Sequence, residues 1–306
     1  MINGILNIYK EKGYTSHDVV AKLRGITKQK KIGHTGTLDP DARGVLPVCL
    51  GKATKLCGML TEKDKIYECV LLLGIETDTQ DISGSVLVKK ETAELEEKAV
   101  KDCIHGFIGT YSQVPPMYSA LKVNGKKLYE LAREGKEVER APRQVRIYDI
   151  EILKIALPRV RMRVSCSKGT YIRTLCHDIG AKLRCGGCME ELLRTKVSCF
   201  RIEDSHPLEE IQRYVQNGAL DKVLIPIDAM FSEQKKIVLE KKEARLAYNG
   251  NDFTVKAGTD SIEWQAQEEV RVYDEEQRFI GMYYYDGEKK CFRIRKMFLS
   301  QEERKG

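Results

Sequence analysis

One segment near the N-terminus limits the folds open to this chain more than any other. Residues 33–55 read GHTGTLDPDARGVLPVCLGKATK, in which four glycines and two prolines surround Asp39. Glycine favours turns and proline removes a backbone donor, so the segment is predicted to be a rigid loop rather than a plain helix or strand. Such a loop could cradle a phosphate, although the carboxylate would repel one. Read alone, Asp39 before Pro40 favours an Asx-turn.

Composition indicates a globular chain with a basic surface. Of the 306 residues, 42% are hydrophobic and 32% are charged, and the formal net charge is +7. Basic residues cluster, with Tyr and Phe nearby, at 28–31, 122–127, 140–146, 159–163 and 289–296. These clusters predict that the partner is a nucleic acid. Apolar runs too short for a bilayer and the lack of a signal-like N-terminus predict a cytoplasmic protein with no membrane partner. Its cysteines are then reduced, and the single Cys185/Cys188 pair lacks the second pair of a typical zinc site.

Apolar periodicity predicts an α+β core followed by a small β-barrel-like module. Thr15-Ser16 caps a helix, and Ser83-Gly84 marks the turn of a hairpin. Strands are predicted at 4–10, 65–79 and 144–167, and helices after residue 16, at 91–109, before Gly135 and at 170–185. Short strands after a polar connector at 226–236 form the module. We therefore expect domains at 1–232 and 233–306, with an excursion from the first at about 113–146.

Six segments resemble, in order and spacing, the motifs of the bacterial tRNA pseudouridine synthases of the TruB type. They are GILNIYKEKGYTSHDVV, GHTGTLDPDARGVLPVCLGKATK, DKIYECVLLLGIETDTQDISG, PPMYSALKVNGKKLYELAREG, CSKGTYIRTLCHDIG and ELLRTKVSCF, which run from about Gly4 to Phe200. The resemblance implies a pseudouridine synthase catalytic core with a mixed or antiparallel sheet and an RNA-contacting insertion. The C-terminal segment is weakly similar to a PUA module. One motif departs from the family, because the usual Lys-Pro-x-Gly reads Lys10-Glu11-Lys12-Gly13 here.

The same resemblance implies an isomerase that converts uridine-55 in the T-loop of tRNA to pseudouridine. Asp39 corresponds to the nucleophile, and Arg173 to the cation that keeps it ionised and oriented. Lys55 and Arg43 are alternative local cations. Tyr67 corresponds to the residue that stacks on the target base and could assist proton removal from C5. Because the reaction adds no atom and involves no redox change, it needs neither a cofactor nor a metal.

Further residues are implied to bind the substrate. His34 corresponds to the residue that fills the space left by the flipped base, while Tyr171 and Leu192 line the pocket. Positioning contacts with RNA phosphates are expected from Lys122, Lys126, Lys127, Arg140 and Arg143.

Two other functions stay open at this stage. The chain could be the catalytic subunit of a guide-RNA-directed pseudouridylation complex, whose core shares these motifs. It could also be a non-catalytic protein that binds or folds tRNA. We expect a monomer whose partner is the T-loop and T-stem of tRNA.

Overall fold

The computed structural model describes residues 1–123, 125–255 and 263–299, which contain eighteen strands and seven helices. The strands are β1 (Gly4–Lys10), β2 (Ile32–His34), β3 (Arg43–Leu50), β4 (Lys65–Leu73), β5 (Ile75–Thr77), β6 (Val86–Lys89), β7 (Gly109–Gln113), β8 (Lys122–Val123), β9 (Lys126–Lys127), β10 (Arg143–Ala156), β11 (Arg159–Cys166), β12 (Gly187–Val197), β13 (Phe200–Arg201), β14 (Leu224–Ile225), β15 (Lys235–Val238), β16 (Glu269–Tyr273), β17 (Phe279–Asp286) and β18 (Cys291–Met297). The helices are α1 (Ser16–Thr27), α2 (Cys57–Thr61), α3 (Glu97–His105), α4 (Leu128–Arg133), α5 (Ile172–Lys182), α6 (Leu208–Gln216) and α7 (Lys241–Tyr248).

A ten-stranded mixed sheet forms the larger part of the molecule. Its order is β14-β1-β3-β12-β4-β11-β10-β7, with β2 added to β3 and β13 added to β12. The pair β3–β12 is parallel, and the other pairs in this sheet are antiparallel. Helices α3 and α5 pack against β4, β10 and β12, while α1 packs with α6 and against β2. The predicted α+β class with a mixed sheet is confirmed.

The region around Asp39 contains a strand that the sequence prediction excluded. Strand β3 runs through the second half of the 33–55 segment and is almost wholly buried, so the prediction of a loop throughout is wrong there. Pro47 lies inside this strand. Its carbonyl still accepts hydrogen bonds, from the N–H and from the hydroxyl of Thr35, each at 3.2 Å. Burial of the apolar run outweighs the single backbone donor that the proline removes.

Other elements follow the sequence prediction with shifted ends. Helix α1 begins after the predicted cap, where Thr15 and Asp18 form a reciprocal capping box. The predicted strand at 65–79 breaks at Gly74, whose φ of +84° is left-handed, and β5 then pairs with β6 across a turn that contains Ser83-Gly84. Helix α3 is shorter than the predicted 91–109. Strand β12, which lies beside the site described below, and helix α6 were not predicted.

The C-terminal part forms a second sheet of order β15-β16-β17-β18, flanked by α7. This sheet is consistent with the predicted PUA-like module, although residues 256–262 and 300–306 of that prediction lie outside the described residues. The two sheets share an apolar cluster in which Phe231, Phe279 and Phe298 meet with ring centroids 5.5 to 6.3 Å apart. Ile5 and Leu56 of the larger part belong to the same cluster, so the small sheet is packed directly onto it.

Candidate active site

The loop that carries Asp39 is held by the end of β1 and the start of α1. The Asp39 carbonyl accepts a hydrogen bond from Ala42 N–H at 3.1 Å, which closes a turn with Pro40 in the second position. The buried ammonium group of Lys10 donates to the carbonyls of Pro40 at 3.2 Å and Ala42 at 2.6 Å. Ser16 Oγ accepts from the N–H of the residue before Asp39 at 2.9 Å. These contacts fix the backbone on both sides of the carboxylate.

Asp39 forms a two-pronged ion pair with Arg173, the second residue of α5. Arg173 Nε lies 3.0 Å from Asp39 Oδ2, and Nη2 donates to Oδ1 at 3.2 Å. The arginine side chain is 6% exposed and the aspartate side chain 37% exposed, so the guanidinium is buried while the carboxylate is partly accessible to solvent. Arg173 also donates to the carbonyls of Tyr118 at 2.8 Å and Thr79 at 3.2 Å. Two separate loops therefore orient the guanidinium towards Asp39.

The electrostatics of Asp39 are a balance of opposing effects. Burial raises the pKa of its carboxyl group, and the Arg173 guanidinium lowers it. Asp81, whose Oδ2 is 3.8 Å from Arg173 Nη1, raises the pKa further, while Lys10 lowers it. Since desolvation is the largest of these effects, the ionised carboxylate depends on the two cations beside it.

Tyr67 and Leu192 lie close to this ion pair on adjacent strands β4 and β12. Both side chains are buried, and they share an apolar cluster with Leu38 and Ala42 of the Asp39 loop. Burial raises the pKa of the Tyr67 phenol, so the hydroxyl holds its proton at neutral pH. The geometry therefore suits Tyr67 better to packing against a base than to acting as a phenolate base.

Three charged residues near the pair were not singled out from the sequence. Lys10 stood in a quoted motif as the lysine of Lys-Pro-x-Gly, so a signal for it existed. Asp81 follows the strand that carries Tyr67, in a stretch that reads as a simple acidic turn. Arg194 lies two residues after Leu192 and is 1% exposed, yet its neighbours in sequence give no sign that a charge is buried there.

His34 is the last residue of β2, directly before the loop that carries Asp39, and is half-buried. Its ring meets the ring of His17 edge-on at a centroid distance of 5.2 Å, and its Nδ1 accepts from Gly36 N–H at 3.3 Å. Burial, together with the neighbouring charges of His17 and Arg194, lowers the pKa of His34 to about 4. The ring is therefore neutral at physiological pH, which suits stacking against a nucleobase.

Tyr171 precedes α5 and is joined to the edge strand β7. Its N–H donates to Gln113 Oε1 at 2.8 Å, and its carbonyl accepts from Gln113 Nε2 at 3.0 Å. Its phenol is half-buried, which raises its pKa. Tyr171 therefore stands two residues from Arg173, at the N-terminal end of α5.

The basic residues predicted to bind phosphate divide into two groups. Lys122 and Lys127 face each other across the β8–β9 hairpin, and Lys126 lies on the same hairpin, whose Asn124 is outside the described residues. Lys126 Nζ is 3.5 Å from Glu134, and Lys127 donates to the Tyr129 hydroxyl at 3.1 Å.

The other group consists of Arg140 and Arg143, which flank the return of the insertion to the sheet. Arg140 is 21% exposed, donates to the Pro115 carbonyl at 3.4 Å and pairs with Glu137 at 3.3 Å. Arg143 is exposed at the first position of β10. Arg140 therefore braces the insertion as well as adding positive charge to it.

The alternative cations considered for Asp39 are used elsewhere. Arg43 Nη2 is 3.4 Å from Glu191, and Lys55 donates to the Met297 carbonyl at 2.6 Å. The basic run at 159–163 is also paired, in contacts of 2.5 to 2.9 Å: Arg159 with Glu190, Arg161 with Glu68, and Arg163 with Glu68 and Glu151. These arginines form a charge-balanced sheet surface, so they contribute little to a basic RNA footprint.

Two further observations concern metals and membranes. Within residues 1–123, 125–255 and 263–299, no group of three or more His, Cys, Asp or Glu side chains is arranged to hold a metal ion. Cys185 and Cys188 are both buried free thiols. In the same residues we find no helix with the length and apolar character needed to cross a membrane.

Two solved structures have the same overall architecture as this chain. One is an H/ACA RNP bound to a substrate RNA containing 2'-deoxyuridine, with a TM-score of 0.70 and 24% identity over 98% of this chain and 86% of that chain. Another is an archaeal box H/ACA sRNP Nop10-Cbf5 complex, with a TM-score of 0.69 and 24% identity over 99% and 88%. At this identity the likeness concerns the fold alone.

Sequence comparison identifies the family: the chain belongs to the TruB family of pseudouridylate synthases. The model of the TruB family pseudouridylate synthase N-terminal domain matches residues 24–172, and that of the tRNA pseudouridylate synthase B C-terminal domain matches residues 173–232. A tRNA pseudouridine synthase B of Lachnoclostridium phytofermentans is 54% identical, over 97% of this chain and 100% of the relative. One of Alkaliphilus oremlandii is 47% identical over 92% of both chains. The predicted resemblance is confirmed, and the chain is an enzyme of the isomerase class.

Proposed function

We propose that this enzyme converts uridine-55 in the T-loop of tRNA to pseudouridine, with Asp39 as the nucleophile. The observation that carries the proposal is the two-pronged ion pair of Asp39 with Arg173, at 3.0 and 3.2 Å, on a loop fixed from both sides. A nucleophile must be held close to its target in the correct orientation, and this loop satisfies that requirement. Relatives named tRNA pseudouridine synthase B match nearly the whole chain, which supports tRNA as the substrate.

The reaction breaks the N1–C1′ bond of uridine and joins C1′ to C5, while the proton on C5 is lost and N1 gains one. Asp39 forms a transient covalent bond during this exchange and is released at the end, so atoms and electrons balance without an added reactant. Arg173 keeps the carboxylate charged in its desolvated setting. Tyr67 packs on the uracil ring, and Leu192 and Tyr171 line the rest of the pocket.

The target uridine has to leave its stack before Asp39 can reach it. His34 is near Asp39, is neutral at pH 7 and has an exposed ring neighbour in His17, which suits it to occupy the vacated space. Phosphate contacts from Lys122, Lys126, Lys127, Arg140 and Arg143 then position the T-loop and T-stem.

We assign the catalytic domain to residues 1–232, with its insertion at about 113–146, and a PUA-like RNA-binding module to residues 233–306. The apolar cluster formed by Phe231, Phe279 and Phe298 crosses this boundary. The module is therefore expected to hold a fixed position relative to the active site. We expect the enzyme to act as a cytoplasmic monomer.

The direct test compares Asp39→Asn with Asp41→Asn. Asp41 lies on the same loop, is 64% exposed and pairs with Lys12 at 3.7 Å, so it is a matched control. Each purified variant is incubated with unmodified tRNA, and pseudouridine is mapped by carbodiimide treatment and primer extension. We expect no product at position 55 with Asp39→Asn and wild-type product with Asp41→Asn.

Each of the other possible results contradicts a different part of the proposal. Full activity of Asp39→Asn contradicts the nucleophile, and modification at another uridine contradicts the substrate. Activity of the wild-type enzyme that requires an added guide RNA supports a guide-directed complex instead. Binding of tRNA without any turnover supports a non-catalytic role.

A further inference from the structure

Arg194 is among the largest fully buried side chains in the described structure, at 1% exposure. Placing a guanidinium in the protein interior is costly unless its donors are satisfied. Arg194 Nε donates to the Val45 carbonyl at 2.7 Å, and Nη2 donates to the Gly36 carbonyl at 3.2 Å. These two acceptors lie on opposite sides of Asp39 in the chain. One side chain therefore ties together the two ends of the loop that carries the nucleophile.

The same residue faces Tyr67 across the sheet. In the antiparallel pairing of β12 with β4, Arg194 is directly opposite Tyr67. Side chains of directly opposed residues lie on the same face of a sheet with Cβ atoms about 5 Å apart. Burial raises the pKa of the Tyr67 phenol, and the Arg194 guanidinium is near enough to oppose that rise.

A third strand approaches Arg194 closely enough to constrain its backbone. Strand β3 runs parallel to β12 with Gly44 opposite Arg194. Gly44 has a φ of +107°, and a Cβ there would lie 2.2 Å from the Arg194 carbonyl oxygen. Gly44 is therefore needed for the backbone contact between β3 and β12. The backbone of Arg194 is held in place by this contact, which leaves its side chain little freedom to move.

We infer that Arg194 is a positioning residue, which sets the distance and tilt between the base-packing Tyr67 and the loop that carries Asp39. It does so through one side chain that lies beside the tyrosine on the same face of the sheet and donates to the Gly36 and Val45 carbonyls. A lysine at 194 would keep the charge but could not present the planar fork that reaches both carbonyls. The inference rests on the proposed function, in which Tyr67 and Asp39 act on the same uridine.

A double-mutant cycle tests the inference with Arg194→Lys, Tyr67→Phe and the double variant. The single-turnover rate of pseudouridine formation is measured at saturating enzyme, and the Kd for tRNA is measured separately. We expect Arg194→Lys to lower the rate by about 10-fold to 100-fold, the scale associated with a misplaced reacting group, with Kd little changed. We expect Tyr67→Phe to lower the rate less, and the double variant to be no slower than Arg194→Lys. This non-additivity arises because both changes act on the same contact between the guanidinium and the phenol.

Arg163→Lys is the control, since Arg163 lies on β11, on the other side of β4 from Arg194, and pairs with Glu68 and Glu151. Thermal melting of every variant identifies any that fail to fold, and in that case Tyr67→Phe alone still tests the contact between Arg194 and Tyr67 from its other end. A wild-type rate in folded Arg194→Lys, or rate losses that multiply in the double variant, overturns the inference. So does a loss confined to Kd.

The double-mutant cycle and the test of the proposed function can fail independently of each other. An active Asp39→Asn enzyme contradicts the proposed nucleophile, yet it leaves the coupling between Arg194 and Tyr67 measurable on whichever uridine is modified. Conversely, additive effects in an enzyme that needs Asp39 and modifies uridine-55 reject only the role of Arg194.

Discussion

Replacing Arg173 by methionine is predicted to make catalysis depend more strongly on pH, rather than to reduce it equally at every pH. The guanidinium lies 3.0 and 3.2 Å from the Asp39 carboxylate oxygens. Burial and Asp81 both raise the pKa of Asp39, and Arg173 is the largest effect that opposes them. Methionine keeps the volume of the side chain and removes this opposition, so the pKa of Asp39 rises. Attack requires the ionised carboxylate, which means that activity falls wherever the pH lies below the new pKa.

The size of the loss follows from the geometry of the pair. Two opposite charges about 4 Å apart near a protein surface interact by about 4 kcal/mol. The Asp39 side chain is 37% exposed, so we halve this value to account for screening by water. About 2 kcal/mol corresponds to a roughly 30-fold decrease in the ionised fraction where the pH is below both the original and the raised pKa of Asp39. We therefore expect kcat/KM to fall by about 10-fold to 100-fold at the acid end of the profile and by much less at the alkaline end.

The assay is tritium release from tRNA labelled at C5 of uridine, followed from pH 5.5 to 9. The acid limb of kcat/KM should move to higher pH in Arg173→Met, and Arg173→Lys should move it less because a charge remains. A loss of the same size at every pH would refute the electrostatic reasoning. It would mean instead that Arg173 acts by holding the loops of Thr79 and Tyr118, whose carbonyls it binds.

Two further predictions concern the loop and the insertion. Lys10→Met should lower the free energy of unfolding in urea by about 3 kcal/mol. The Lys10 ammonium group donates to the carbonyls of Glu11, Pro40 and Ala42. These three charge-assisted bonds, worth about 2 kcal/mol each, outweigh the roughly 3 kcal/mol that corresponds to burial lowering the pKa of Lys10 to about 8. Lys12→Met is the exposed control, and an equal effect in both variants contradicts this prediction. Affinity for tRNA should fall steeply with salt, and replacing Lys122, Lys126 and Lys127 by glutamine should weaken binding and flatten that dependence. An affinity unchanged between low and moderate salt refutes the electrostatic part.

The sequence predicted those elements whose conformation depends on residues only a few positions apart in the chain. The capping box at Thr15 and Asp18 and the hairpin turn at Ser83-Gly84 depend on residues a few positions apart, and both are present. Strand β3 was missed because Pro47 was weighed as a local breaker, whereas burial within a ten-stranded sheet decides its conformation. The Asp39–Arg173 pair spans 134 positions, and only the resemblance to a family brought its two members together.

The buried cations show why the rest of the site could not be read from the sequence. Lysine and arginine are almost always exposed, so a pattern-based interpretation places Lys10 and Arg194 on the surface. Both are instead used to satisfy loop carbonyls that face the interior, at 2.6 to 3.2 Å. Whether a carbonyl faces inward depends on the tertiary fold and leaves no local signal.

Hydrogen bonds from segment 10–13 also give a physical reason why the missing proline after Lys10 does not loosen the loop that carries Asp39. In this chain Gly13 has a φ of +90°, and its N–H donates to the Pro40 carbonyl at 2.9 Å, the same oxygen that Lys10 Nζ reaches at 3.2 Å. Segment 10–13 is therefore fixed by two hydrogen bonds to the Asp39 turn rather than by the restricted φ of a proline. Glycines and prolines in the loop permit its shape, but they do not hold it. Its rigidity comes from donors supplied by β1, α1 and β12, so substitutions at those distant positions should disturb Asp39 as much as changes within the loop itself.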